Sequence, residues 1–116
     1  MITVGLICDR VRWDEKALIR AVEKRGAKPI IIDQKSIFLD LTGNLDNVPE
    51  VDVYLQRSVS TIKGLYISKL LEEKGHIVIN SFEASRICAD KVLTTLALAR
   101  EGIPTPHTLI AFDVDS

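Results

Sequence analysis

This sequence has no excess of charge of either sign and no long apolar run. Its 15 basic and 16 acidic residues give a net charge of -1, so it lacks the clustered basic excess expected of a nucleic-acid-binding protein. No stretch approaches the roughly 20 apolar residues of a membrane-spanning helix. The start, Met1 to Ile7, has no basic residues and predicts a first strand, not a signal peptide. We therefore expect a cytoplasmic protein that binds neither nucleic acid nor membrane.

Cysteine and histidine are sparse and scattered. The two cysteines, Cys8 and Cys88, each lie in an apolar segment, which predicts two buried free thiols in a reducing compartment. His76 and His107 have no cysteine or carboxylate at metal-ligand spacing, so no metal site is predicted in this chain.

The glycines form no phosphate-binding motif. Gly5 has no second glycine in the loop that follows it, which argues against a dinucleotide fingerprint, and there is no Gly-x-x-x-x-Gly-Lys-Ser/Thr loop. Only Asp9 follows the first strand, and an arginine comes next. A signalling domain that is phosphorylated on aspartate is therefore disfavoured.

What the sequence does contain is a repeating strand–helix–strand pattern. Apolar runs predict strands at 2–8, 29–32, 51–56 and 76–79. Amphipathic segments that end near glycine predict helices at 13–25 and 61–74, the second with Ile62, Leu65, Tyr66 and Leu70 facing inward. A short edge strand at 37–41 and a hairpin at 42–47 are also predicted. This alternation predicts an α/β fold with a doubly wound, mostly parallel sheet.

The last third of the chain predicts a link to a further domain. Asn80-Ser81 starts one helix, and Asp90 caps a second one, Val92 to Arg100. Pro104 and Pro106 then lead into a predicted strand at 108–112. We therefore divide the chain into a domain at 1–88 and, at 89–116, a linking helix with the first strand of the next domain.

Polar side chains follow the predicted strands, where ligands bind in open parallel sheets. They are Asp9, Arg10, Asp33, Arg57, Ser58, Asn80 and Ser81. Guanidinium groups bind carboxylates bidentately, so Arg10 and Arg57, with hydroxyls from Ser58 and Ser60, predict a site for a carboxylate ligand or an acidic tail. The residues leave open the alternative that the arginines are solvated loop ends or helix caps.

Lys91 lies at the start of a predicted helix, where the helix dipole disfavours a cation. A bound anion would relieve that cost and use the free amides of the first turn. The residues alone leave open that Lys91 is an ordinary surface lysine, while Asp90 is interpreted as a helix cap and not as a metal ligand.

Three stretches resemble a known family. They are Asp90-Lys91 with its apolar helix and Gly102 to Pro106, the segment Cys8 to Lys16, and the segment Gln56 to Leu65. Together they resemble the N-terminal, Rossmann-like pre-ATP-grasp domain of RimK-like ATP-grasp ligases, in particular the LysX type that acts on the LysW carrier. The resemblance covers nearly the whole chain but only the first part of such an enzyme, with the start of the ATP-grasp domain at the C-terminal end.

The resemblance implies an ATP- and Mg²⁺-dependent ligase of lysine or arginine biosynthesis. Such an enzyme activates a carboxylate as an acyl phosphate. It joins the amino group of 2-aminoadipate or glutamate to the C-terminal glutamate of the acidic LysW-type carrier protein. By the same resemblance, Lys91 contacts the nucleotide phosphates. Arg10, Arg57, Ser58 and Ser60 contact the substrate or the carrier.

Two alternatives stay open at this stage. One is a ligase that adds glutamate to a ribosomal protein, and the other is a non-catalytic α/β module that binds a small anion or mediates assembly. The metal ligands of an ATP-grasp enzyme are expected outside this chain, so the chain by itself is expected to be inactive. Apolar helix faces also predict a homo-oligomer.

Overall fold

The computed structural model describes residues 1–44 and 47–115. The elements in chain order are β1 (Thr3–Cys8), α1 (Trp13–Lys24), β2 (Lys28–Asp33), β3 (Val53–Arg57), α2 (Thr61–Glu73), β4 (Val78–Ile79), α3 (Phe82–Ala89) and α4 (Lys91–Arg100). A single 3-10 turn, Gln34–Ser36, follows β2. The chain divides into two compact units, Met1–Phe82 and Glu83–Ser116. The predicted boundary at 88/89 stays a prediction.

The first unit is built on a four-stranded parallel sheet in the order β2-β1-β3-β4. The connection from β1 through α1 leads to β2 at one edge of the sheet, and the connection from β3 through α2 leads to β4 at the other edge. Because such connections are right-handed, α1 and α2 lie on opposite faces. This confirms the predicted doubly wound α/β fold. The winding reverses between β1 and β3, whose last residues, Cys8 and Arg57, are paired in register.

A hydrophobic core fills the face of the sheet that α2 covers. Its buried members are Ile7, Ile32, Val48, Val51, Tyr54, Ile67, Leu71 and Val78. Ile37 and Leu39, from the segment after β2, pack against this core. Residues 37–39 therefore cover part of the sheet next to α2. In a regular strand–helix–strand repeat, a helix between β2 and β3 would lie there.

The short edge strand predicted at 37–41 is wrong, because this segment pairs with no neighbour in the described structure. The strand predicted at 108–112 belongs to the further domain and stays a prediction. At 37–39 the alternation comes from packing, since Ile37 and Leu39 are half-buried while Phe38 is 73% exposed. Residues 108–112 are exposed. The predicted hairpin at 42–47 includes residues 45 and 46, which lie outside the described residues.

The inward face of α2 also differs from the prediction. Ile62 and Tyr66 are 63% and 66% exposed, whereas Ile67 and Leu71 are buried together with the small residues Gly64 and Ser68. Small side chains bring the helix close to the sheet. There the Gln56 amide donates to the Gly64 carbonyl at 3.3 Å.

The second unit contains α4 and, from Glu83 onward, α3. The Asp90 carboxylate caps α4 by accepting from the amides of Val92 and Leu93 at 2.9 and 3.1 Å, as predicted for this residue. The Thr94 hydroxyl donates to the Ile87 carbonyl at 2.6 Å and joins the two helices. Cys8 is buried as predicted, but the prediction for Cys88 is wrong, because its short helix buries no residue. Within the described residues, no helix is long and apolar enough to cross a membrane.

Two buried glycines give a matched pair for testing the packing of the first unit. A Cβ on Gly5 would lie 2.9 Å from both Ile32 Cδ1 and Val51 Cγ2, whereas a Cβ on Gly64 would meet Ser58 Cβ at 3.5 Å. We expect Gly5→Ala to lower the free energy of unfolding by about 1–3 kcal/mol through overpacking. Gly64→Ala should raise it by up to about 1 kcal/mol through helix propensity. Urea unfolding checks both, and equal destabilisation by the two changes would contradict this packing.

Candidate functional site

The carboxyl ends of β1 and β3 meet at the reversal of winding, and a hydrogen bond joins the loops that follow them. Asp9 Oδ2 accepts from the Val59 amide at 2.5 Å. Crevices of this kind are the usual ligand sites of doubly wound sheets. The Asp9 bond therefore holds together the two loops at the carboxyl edge of the sheet.

A buried carboxylate organises one side of this edge. Glu15, in the first turn of α1, is fully buried. Its Oε1 accepts from the Arg12 guanidinium at 2.8 Å, and its Oε2 accepts from the Arg12 amide at 3.3 Å. Arg57 adds two longer contacts, Nε to Glu15 Oε1 at 3.7 Å and Nη2 to Asp14 Oδ2 at 3.6 Å. The start of α1 is thereby held against the end of β3.

This pairing also sets the protonation states nearby. The hydrogen bond from the Arg12 guanidinium lowers the pKa of Glu15, outweighing the burial that raises it, and the same bond raises the pKa of Arg12. Burial raises the pKa of the Cys8 thiol, and the nearby carboxylates, Glu15 first, raise it further. Cys8 is therefore a neutral thiol at neutral pH and not an activated nucleophile.

Arg10 and Ser60, two of the four residues predicted to contact substrate or carrier, line one open cleft at this edge. The cleft has a volume of about 420 Å³ and is lined by Asp9, Arg10, Lys35, Val59 and Ser60; we call it the edge cleft. The Ser60 hydroxyl caps α2 by accepting from the Lys63 amide at 3.4 Å. The helix therefore begins at the cleft.

Arg57 and Ser58 are not among the residues that line the edge cleft. The Arg57 guanidinium is directed to Asp14 and Glu15. The Ser58 hydroxyl oxygen is buried and has no hydrogen-bond partner within the described part of the chain. The contacts of Arg57 favour the alternative left open by the sequence, in which this arginine fixes a helix. A binding role for Arg57 and Ser58 stays a prediction.

Sequence reasoning missed Lys35 as a residue of the edge cleft. The Asp33 carboxylate accepts from the Lys35 amide at 2.9 Å and starts the 3-10 turn that carries this lysine. The signal in the sequence is the position of Lys35, two residues after Asp33 at the end of β2.

In the second unit, Lys91 is exposed and lines a separate cleft of about 250 Å³. The other lining residues are Val92, Thr95, Leu96, Thr108, Leu109 and Ile110. Because Asp90 already occupies two amides of the first turn of α4, an anion here would be bound mainly by the Lys91 ammonium.

A magnesium site needs several oxygen ligands, usually including carboxylates, in one place. The described residues include no group of three or more His, Cys, Asp or Glu side chains placed to hold a metal ion. The described chain therefore does not fit a magnesium site, and no step through the metal is assigned to its residues.

A parallel sheet wound in both directions, with polar loops at its carboxyl edge, defines a doubly wound α/β domain. Residues 4–87 match the family described as the LysX preATP-grasp domain, and the chain belongs to that family. This confirms the resemblance found in the sequence.

The relatives named for activity are longer proteins. The chain is 42% identical over 105 residues to the alpha-aminoadipate–LysW ligase LysX of Saccharolobus solfataricus, covering 88% of this chain and 37% of that protein. It is 36% identical over 113 residues to the glutamate–LysW ligase ArgX of Sulfolobus acidocaldarius, covering 97% and 39%. The crystal structure of a RimK domain ATP-grasp protein from Sphaerobacter thermophilus superimposes with a TM-score of 0.79 at 25% identity, covering 95% of this chain and 41% of that one.

The buried Glu15 carboxylate, which is paired with Arg12 and Arg57, predicts a specific dependence of stability on pH. Because the pKa of Glu15 is lowered in the folded state, its stabilisation is present above the ordinary glutamate pKa and is lost as the pH falls through the folded-state value. We expect Glu15→Gln to lower the free energy of unfolding at pH 7 by about 1.5–3 kcal/mol. The variant should also lose less stability than the parent chain between about pH 5 and pH 3.

Urea unfolding across this pH range measures both effects. Glu23→Gln, on the exposed side of the same helix, is the matched control and should behave like the parent chain. Parallel pH profiles for the Glu15 variant and the parent chain would show that the Glu15 carboxylate is not a stabilising charge.

Proposed function

We propose that this chain serves as the preATP-grasp part of an ATP-dependent carboxylate–amine ligase. The ligase joins the amino group of 2-aminoadipate or glutamate to the C-terminal glutamate of a LysW-type acidic carrier, through an acyl phosphate. The proposal is supported by membership of the LysX preATP-grasp family and by relatives that are named LysW ligases. Those names favour the carrier over a ribosomal protein as the acceptor.

The observation that carries the proposal is the availability of Arg10 and Lys35 at the edge cleft. Within the described part of the chain, neither side chain has a carboxylate at ion-pair distance, whereas Arg12 and Arg57 are both paired with acids of α1. Two unpaired cations at the end of a parallel sheet suit an acidic peptide with a terminal carboxylate.

The position of α2 adds to this preference. The helix begins at Ser60, on the rim of the edge cleft, and its N-terminal dipole favours negative charge there. Asp9 lines the same cleft, but its carboxylate is bonded to the Val59 amide. In this proposal the carrier tail lies across the cleft, with carboxylates on Arg10 and Lys35.

Lys91 has the second role in the proposal, contact with the nucleotide. ATP supplies the phosphoryl group that activates the carboxylate. The Lys91 ammonium binds a phosphate oxygen and offsets negative charge that develops during the transfer.

A peptide titration tests the edge cleft. The probe is a fluorescent acidic peptide that ends in glutamate with a free C-terminal carboxylate, and anisotropy reports its binding to the chain. Loss of one charge-assisted contact should weaken binding about tenfold for Arg10→Ala and for Lys35→Ala. Lys28→Ala, at the opposite edge of the sheet, is the matched control and should bind like the parent chain.

Equal affinity of the parent chain and both cleft variants would remove the edge cleft from carrier recognition. The same peptide with an amidated C-terminus separates recognition of the terminal carboxylate from general attraction to acidic side chains. We expect the amidated peptide to bind several-fold more weakly to the parent chain, because one charge-assisted contact is lost.

An ATP titration tests Lys91. Because Lys91 is the one cation among the described residues that line this cleft, we expect weak binding, with a dissociation constant on the order of millimolar. Backbone amide shifts in α4 should follow the titration, and Lys91→Ala should abolish them. Arg100→Ala, at the other end of α4, should not change them. Shifts that persist in the Lys91 variant would contradict the assignment.

A further inference from the structure

The outer side of β2 is a strand edge that no other described strand covers. β2 is the last strand on its side of the sheet, and among the described residues β1 is its one paired neighbour. Ile31, near the middle of this strand, is 42% exposed, and Asp33 at its end is also exposed. An edge strand of six residues offers a row of unpaired backbone groups to another strand. We call this surface the β2 edge.

The ladder with β1 decides which backbone groups lie on the β2 edge. The Lys28 amide donates to the Ile2 carbonyl at 2.8 Å, so the backbone groups of Lys28 face β1. This direction alternates along a strand that is paired in regular register, as β2 is with β1. Residues 29, 31 and 33 therefore direct their backbone groups away from the sheet.

Two of these three outward positions can make only half of an ordinary pair. Hydrogen-bonded residues that lie opposite each other in an antiparallel ladder exchange two bonds, one in each direction. Pro29 has no N–H, so it can accept but cannot donate. The Asp33 carbonyl already accepts from the Ser36 hydroxyl at 2.8 Å, so its N–H is the group left for pairing. Ile31, between them, offers both groups.

This pattern is complementary to the same strand in a second copy. When two β2 strands run antiparallel about a two-fold axis at Ile31, each Ile31 exchanges two bonds with its counterpart. Pro29 then lies opposite Asp33 of the second copy, and on both sides of the axis the Asp33 N–H donates to the Pro29 carbonyl. Both outward amides of each copy are thereby bonded. A strand with an ordinary residue opposite Pro29 would leave its own N–H without an acceptor.

The side chains fit the same register. Ile32 belongs to the core under α2, so Ile31 lies on the other face of the sheet. Across the two-fold axis the two exposed Ile31 side chains contact each other and lose exposed apolar surface. The pairing uses residues 29–33, none of which lines the edge cleft, so the edge cleft of each copy stays open.

We propose that the β2 edge is a homodimer interface, through which two copies join their sheets antiparallel with the axis at Ile31. It gives the homo-oligomer predicted from the sequence a defined surface, and it does not depend on the proposed ligase activity. Because pairing of one short strand buries little surface, we expect a weak dimer, with a dissociation constant on the order of 100 μM.

Sedimentation velocity over a concentration series up to about 1 mM measures the dimer. Ile31→Lys and Ile31→Glu each place two like charges across the axis, so either variant should dimerise at least about fivefold more weakly than the parent chain. An equimolar mixture of the two variants should form a heterodimer at least about fivefold more tightly than either variant alone. Ile62→Lys, at a 63% exposed position of α2, is the matched control and should dimerise like the parent chain.

Hydrogen exchange locates the pairing in the parent chain, and it tests the interface even if a variant is unstable. The amides of Ile31 and Asp33 should become protected as the concentration rises. Those of Ile30 and Ile32 are bonded to β1 and should be protected at every concentration. A parent chain that stays monomeric, a dimer that both Ile31 variants leave unchanged, or a mixture no tighter than the single variants would each refute the interface.

Discussion

The arrangement of the first unit depends on the buried carboxylate of Glu15. A charge removed from water is tolerated only with a close partner, and Arg12 supplies one at 2.8 Å. Arg57, from β3, adds a longer ion-pair contact at 3.7 Å. The start of α1 is thereby held against the end of β3, at the point where the winding reverses. Arg12 and Arg57 are therefore paired with carboxylates of α1, whereas Arg10 and Lys35 stay available for binding in our proposal.

The sheet topology explains why these residues meet at all. Arg10, Lys35 and Ser60 follow three different strands, and parallel strands bring their carboxyl ends to one edge. The relatives that are named as ligases are longer proteins. This chain, which belongs to the LysX preATP-grasp family, spans 37% of the LysX relative and 39% of the ArgX relative. In our proposal the sheet edge receives the acid and the Lys91 helix meets the nucleotide.

Much of the fold could be predicted from the residues, because apolar runs and helical periodicity reflect burial directly. The strand and helix positions in the first unit and the Asp90 cap follow from such local signals. Sequence could not decide which arginine stays unpaired, because that depends on where α1 begins relative to β3. The exposure of Ile62 and the packing of Ile37 without strand pairing likewise depend on the tertiary partner and not on local pattern.

In our proposal, the carboxyl edge of the parallel sheet is the acid-binding surface. Amide chemical shifts of the isotope-labelled chain, recorded while an unlabelled acidic peptide ending in glutamate is added, test this most directly. We predict that shifts concentrate at residues 9–10, 35 and 59–61, with little change at the opposite edge, at 27–28 and 52. Shifts centred on the opposite edge, or spread evenly over the first unit, would contradict it.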